Sequence, residues 1–252
     1  MHRAGYEALG LPYAYVPFAV DRSELAQALA GMRALGIRGL GVSMPFKLDV
    51  LPLLDRLDPL AARIGAVNTI VHEPDGSLVG HNTDAEGAAR ALEERIALRG
   101  ARCLVLGAGG AGRAVAHGLV ERGALVQIAN RTRARAEELA SSTGAEVVEW
   151  EARERVECEV LVNATSAGMD TGEGASLEPP VSDEALARAK VVLDIVYKPL
   201  ETPMVQRARA RGVVAVHGGR MLLHQAARQF ELYTGVGAPL EAMDEAIERF
   251  LR

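Results

Sequence analysis

Cys103-Leu-Val-Leu106-Gly107-Ala-Gly109-Gly110-Ala-Gly112 is the stretch that decides the fold. A short apolar run ends on glycines spaced G-x-G-x-x-G, and a helical pattern continues from Gly112 to Arg122. The spacing is weak alone. Between a strand and a helix it gains meaning, because the glycines allow a tight turn and let a pyrophosphate approach the helix N-terminus. A glycine-rich turn without a ligand is the alternative, and the next strand weighs against it. That strand, Leu125–Ala129, ends in Asn130-Arg131-Thr132, with Arg135 one helical turn on. A site selective for NAD carries Asp or Glu here, whereas a guanidinium suits a 2′-phosphate that a carboxylate would repel. These residues point to NADP, with exposed arginines at a solvated helix start as the plain alternative.

Outward from this centre, strands are expected at Glu146–Val148, Glu159–Val162, Val191–Val196 and Val213–Val216, with helices between them. The helix Pro203–Arg211 opens with Thr202 as N-cap and Pro203 in its first turn. Such alternation predicts parallel sheets covered on both faces. Two final helices cover Met221–Tyr233 and Leu240–Leu251, and the longest loop is expected over Gly168–Pro180.

Upstream lies a second α/β region. Ala14–Val20 is β-branched and aromatic and reads as a strand. Asp21 and Glu24 form a D-x-x-E cap for a helix carrying Leu25, Leu29, Met32 and Leu35, closed by Gly36. A short strand, Arg38–Val42, runs into Ser43-Met-Pro-Phe-Lys47, and a helical segment with Pro52 in its first turn follows. Val67–His72 and Leu78–His81 read as a hairpin around Pro74-Asp75-Gly76, and a helix covers Ala85–Ile96. The expected division is a substrate domain over 1–84, completed by 220–252, and a Rossmann dinucleotide-binding domain over 98–217. The active site is expected in the cleft between them.

Composition narrows the function classes. In 252 residues, 49% hydrophobic and 24% charged is an ordinary globular balance. A net charge of −5 argues against a nucleic-acid surface. No apolar run approaches the roughly 18–20 residues of a membrane span, and the first residues lack a signal-peptide core. Cys103 and Cys158 sit in apolar runs and read as buried free thiols of a reducing cytoplasm. The six histidines show no ligand spacing, so no metal is expected. Homodimerisation is left open.

Reduction of a carbonyl needs a proton donor at the developing alkoxide and polar groups that orient the substrate. Lys47, Asn68 and Asp84 stand at loop-like junctions, and a Lys beside an Asp could be a donor held in position by a carboxylate. Taken singly, each such residue is more often a surface charge or a turn cap.

Read together and in order, these segments resemble the shikimate dehydrogenase family. They are Gly41–Lys47 (GVSMPFK), Gly65–Ile70 (GAVNTI), Gly80–Asp84 (GHNTD), Gly107–Gly112 (GAGGAG), Asn130–Thr132 (NRT), Asn163–Met169 (NATSAGM), Asp194–Pro203 (DIVYKPLETP) and Met221–Ala226 (MLLHQA). The resemblance spans essentially the whole chain. It implies NADPH-dependent, reversible reduction of 3-dehydroshikimate to shikimate in aromatic amino-acid biosynthesis. On the matching positions Lys47 would be the acid/base group and Asp84 its partner. Ser43, Asn68, Tyr197 and Gln225 would contact the substrate. Gly107, Ala108, Gly109, Gly110 and Ala111 would hold the pyrophosphate. Asn130, Arg131, Thr132 and Arg135 would face the adenosine phosphate, and Ile195 and Gly218 would lie near the nicotinamide.

Three departures stand out. Most members read N-V-T-x-P where this chain has Gly41-Val-Ser43-Met-Pro45, a variant that resembles the quinate/shikimate and shikimate-dehydrogenase-like branches and leaves quinate or an aminated analogue open as substrate. Arg220 stands where a glycine usually precedes Met-Leu. Members also open with a strand and an S-x-S-P-x-M-H segment whose serines hold the substrate carboxylate, and this chain begins inside that segment, at Met1-His2. N-terminal truncation is therefore expected, with a non-catalytic NADP-binding fragment as the alternative to a working enzyme.

Overall fold

The computed structural model describes residues 1–169 and 178–251. The chain forms two compact units, one made of Met1–Thr83 with Gln225–Phe250, the other of Asp84–His224.

The second unit is built on a six-stranded, wholly parallel sheet. Its strands are β5 (Arg102–Leu106), β6 (Leu125–Ala129), β7 (Glu146–Val148), β8 (Val160–Asn163), β9 (Val191–Asp194) and β10 (Val214–His217). The spatial order β10-β9-β8-β5-β6-β7 reverses direction between β5 and β8. That reversal is the crevice where a doubly wound sheet binds a dinucleotide. Alternate residues of one strand enter different cores: Cys103 and Val105 pack on one face, Leu104 and Leu106 on the other. This is the pattern of a sheet buried on both sides. The helices α4 (Thr83–Glu93), α5 (Gly110–Glu121), α6 (Arg133–Thr143), α7 (Asp183–Arg188) and α8 (Pro203–Ala210) belong to its run of chain, and α9 (Gly218–Thr234) leaves it. As expected, Thr202 caps α8, its Oγ1 accepting from Val205 N at 3.3 Å.

The first unit holds a four-stranded sheet of mixed direction, ordered β1-β3-β4-β2. Here β1 (Gly39–Gly41), β3 (Thr69–His72) and β4 (Leu78–His81) are antiparallel, while the two-residue β2 (Arg56–Leu57) runs parallel to β4. The hairpin expected around Pro74-Asp75-Gly76 joins β3 to β4 and makes them antiparallel, while the parallel sheet expected from strand–helix alternation lies in the other unit. Helices α1 (His2–Ala8), α2 (Leu25–Ala34), α3 (Pro59–Ile64) and α10 (Leu240–Leu251) complete it.

Ala14–Val20 forms no strand: it is mostly exposed chain with no sheet partner among the described residues. β-Branched and aromatic residues favour extended backbone, but a strand exists only where a neighbour accepts its hydrogen bonds. The Asp21 side chain makes no capping bond, and a single 3₁₀ turn, Arg22–Glu24, precedes α2. Of the loop expected over Gly168–Pro180, residues 170–177 lie outside the described residues.

One short element positions the site directly. Asp58 caps α3, its Oδ2 accepting from Leu60 N at 3.0 Å and Ala61 N at 3.4 Å, and the helix leads into Val67-Asn68. Asp58→Ala leaves two helix N–H groups without a side-chain acceptor and should cost about 1 kcal/mol. For a chain of this size that lowers the melting temperature by roughly 2–4 °C. A thermal melt unchanged within error would show that solvent replaces the cap.

Candidate active site

On the first unit, two backbone hydrogen bonds press the Ser43–Lys47 turn against the start of β3. Val42 N donates to Asn68 O at 2.7 Å, and Val67 N donates to Lys47 O at 2.9 Å. Ser43 is exposed on this turn and Lys47 is half-buried. Asn68 is buried and its amide is fully engaged. Its Oδ1 accepts from Thr83 N and Thr69 Oγ1, both at 2.8 Å, and its Nδ2 donates to Gln225 Oε1 at 3.0 Å. With its oxygen occupied by Asn68, Gln225 is left with its amide N–H groups to offer. Gln229, one helical turn on, donates to Thr69 Oγ1 at 2.9 Å.

Two expected residues, Asn68 and Gln225, thus meet in one buried amide network, and the turn that carries Ser43 and Lys47 is bonded beside it through backbone groups. Thr83 and Gln229 belong to the same network and were not singled out from sequence. Thr83 lies inside the quoted N-T-D run, and Gln229 follows Gln225 at i+4 on the same helix face. Asp84 opens the second unit, buried in the first turn of α4, where the helix dipole favours a carboxylate.

On the second unit, Gly107 sits at the end of β5 with φ +105°, a conformation that disfavours any side chain. A Cβ on Gly112 would lie 2.1 Å from Gly107 O, so the turn closes only on glycine. Gly109 is the N-cap of α5 and supplies no side-chain acceptor, which leaves the N–H groups of Gly110, Ala111 and Gly112 for an anion. Ala108 N donates to Asn130 Oδ1 at 3.1 Å, and Asn130 Nδ2 donates to Thr132 O at 2.8 Å. Asn130 therefore ties the glycine turn to the loop after β6. Arg131, Thr132 and Arg135 are exposed on that loop and the start of α6. Their neighbours Arg113 and Arg133 pair with Glu138 and Glu137, whereas no partner side chain is found for Arg131 or Arg135 among the described residues. Bare helix amides, a cradle a Cβ would fill and two unneutralised guanidinium groups together fit a dinucleotide carrying a 2′-phosphate.

Beyond the crevice, Ile195 and Gly218 also meet. A Cβ on Gly218 would lie 2.4 Å from Ile195 O, so the start of α9 abuts the chain leaving β9. Tyr197 stands on that same loop, 40% exposed. Arg220, the unusual residue of this region, is committed elsewhere. Its Nε and Nη2 donate to the two carboxylate oxygens of Glu94 at 3.1 and 2.5 Å, and His224 Nε2 lies 2.7 Å from Glu94 Oε1.

The chain matches family models along most of its length. Residues 1–70 match the shikimate dehydrogenase substrate binding domain, 88–199 match shikimate / quinate 5-dehydrogenase, and 218–248 match the shikimate 5′-dehydrogenase C-terminal domain. It is 47% identical to shikimate dehydrogenase (NADP(+)) of Natronomonas pharaonis over 100% of this chain and 93% of that protein. It is 44% identical to the enzyme of the same name from Thermococcus kodakarensis, over 97% of this chain and 92% of the other. Among solved structures it resembles shikimate 5-dehydrogenase from Thermus thermophilus in complex with NADP(H) and shikimate. There the TM-score is 0.88 and the identity 38%, covering 98% of this chain and 92% of that one.

Proposed function

This chain belongs to the shikimate dehydrogenase family, and we propose that Lys47 and Asp84 form the acid–base pair of its reaction. The reaction is the reversible, NADPH-dependent reduction of 3-dehydroshikimate to shikimate. The observation that supports this reading is that one chain carries both a glycine cradle with unpaired arginines and, in its other unit, the Asn68–Gln225 network beside the Lys47 turn, and is similar over its whole length to enzymes of that name.

NADPH, when bound, supplies the hydride for the carbonyl carbon. Lys47, as an ammonium, donates a proton to the carbonyl oxygen as negative charge develops there; in the oxidative direction, its neutral amine takes that proton back. Hydride on carbon and proton on oxygen together make the new hydroxyl. Asp84 holds the charge and orientation of Lys47. Asn68, rigid within its hydrogen bonds, fixes Gln225, and Gln225, Ser43 and Tyr197 contact and orient the substrate. Gly107–Ala111 carry the pyrophosphate, while Asn130 sets the loop on which Arg131, Thr132 and Arg135 take the 2′-phosphate. Two free, buried thiols, Cys103 and Cys158, support a reducing cytoplasm as the working compartment.

The test is NADP-linked oxidation of shikimate and of quinate side by side. Shikimate is expected to lead in kcat/KM by about tenfold or more. Equal or faster oxidation of quinate would move the chain to the quinate branch that its Ser43 variant leaves open.

A further inference from the structure

Asp194 ends β9 with no exposed surface, and its described hydrogen-bond partners are all neutral donors. Thr202 Oγ1 donates at 2.6 Å, Asn163 Nδ2 at 3.0 Å and Val196 N at 3.1 Å. Each of these partners shapes a loop. Asn163 ends β8, accepts at Oδ1 from Thr165 N and Thr165 Oγ1, and donates through Nδ2 to Ala167 O. Thr202 caps α8 at the far end of the segment that carries Ile195 and Tyr197. Gly168, at φ +85°, packs against that cap: a Cβ there would lie 3.6 Å from Thr202 Cβ and 3.9 Å from Asp194 Oδ2. One carboxylate therefore ties the loop after β8 to the loop after β9.

Burial pushes the Asp194 carboxyl up to about 6, against three hydrogen bonds that pull it down. A folded value above the unfolded one means that the native state holds the proton more tightly. This contribution to stability therefore falls as pH rises from about 4 to about 6, and the deficit persists at neutral pH. A buried, hydrogen-bonded carboxyl with a raised pKa at the carboxyl end of a parallel strand stands where functional groups of such folds gather.

The location says what this one does. The arginines for the 2′-phosphate follow β6, on one side of the β5/β8 reversal, and the pyrophosphate lies at α5. A dinucleotide lying across the crevice then has its nicotinamide half over the carboxyl ends of β8, β9 and β10. We propose that Asp194 is a positioning residue for hydride transfer: by tying Asn163 to Thr202 it sets the two loops that hold the nicotinamide ring and Tyr197 in register with the substrate. This rests on the NADPH-dependent reading above.

The test is Asp194→Asn in the full chain, an isosteric change that removes the charge and one acceptor. Melting temperature, affinity for 2′-phospho-ADP-ribose (which lacks nicotinamide), the emission of bound NADPH, and kcat with KM are measured on variant and parent. The variant should melt cooperatively and bind 2′-phospho-ADP-ribose within about threefold of the parent. Its bound NADPH should differ in emission, and kcat should fall roughly 10–100-fold, the scale of an ångström-level misplacement. A kcat within about threefold of the parent overturns the proposal. So does a parallel loss of 2′-phospho-ADP-ribose affinity, which marks a general folding role. If Asp194→Asn does not fold, Thr202→Val and Thr202→Ser decide. Serine keeps the donor to Asp194 and should restore the turnover that valine loses, and equal rates would contradict the idea. Should the parent bind NADPH yet fail to reduce 3-dehydroshikimate, the assigned reaction falls, while the NADPH emission of parent and variant still judges Asp194.

Discussion

Lys47→Ala is expected to lower kcat by roughly 10²–10⁴-fold with a smaller change in KM. The turn carrying Lys47 is fixed by backbone bonds, Val42 N to Asn68 O and Val67 N to Lys47 O, and these survive loss of the side chain. The substrate contacts assigned to Asn68 and Gln225 should survive too. What disappears is proton donation in the transition state, an interaction that shows itself in kcat. Steady-state kinetics in both directions read the effect. A kcat within about threefold of the parent would remove Lys47 from the chemical step.

Arg131→Ala should weaken NADP by roughly 10–150-fold and leave NAD nearly unchanged, since a charge-assisted hydrogen bond is worth about 1.5–3 kcal/mol. Arg131 is the suitable target because it is exposed and has no acidic partner among the described residues, in contrast to Arg133 with Glu137 and Arg113 with Glu138. Arg135 shares the charge of the loop and should retain part of the preference for NADP. Fluorescence titration with NADPH and NADH separates the outcomes. Equal loss for both cofactors would mean that Arg131 supports the loop itself.

The dinucleotide half was legible because its signals are local. Glycine is demanded where Gly107 turns with positive φ and where Gly112 approaches a carbonyl, and both demands fall within six residues of sequence. The pattern at Thr202-Pro203 likewise describes a cap that forms within one turn. Elements whose stability comes from distant partners were not legible in this way. Helix α1 carries no side-chain cap, and its residues are held by rings far along the chain, Tyr6 packing on Phe230 with centroids 5.2 Å apart. The strand β2 is two residues long and exists only through pairing with β4. Ala14–Val20 errs in the opposite sense, with strand composition and no sheet partner among the described residues.

The site shows the same division. Resemblance and residue type pointed to Lys47, Asn68, Asp84 and Gln225, since each chemistry needs that kind of group. They could not show that Asn68 is the centre of a network including Thr69, Thr83 and Gln229, because those bonds join positions up to 161 residues apart. Nor could the pattern around Arg220 reveal its bidentate pairing with Glu94, 126 positions away in sequence.

Absorbance at 340 nm, followed while the 252-residue chain is mixed with NADPH and 3-dehydroshikimate, tests the central claim most directly. The account predicts a decrease that requires both components, stops when the substrate is exhausted and matches the shikimate formed mole for mole. Saturable binding of NADPH with no substrate-dependent decrease would contradict it and leave a cofactor-binding protein without this chemistry.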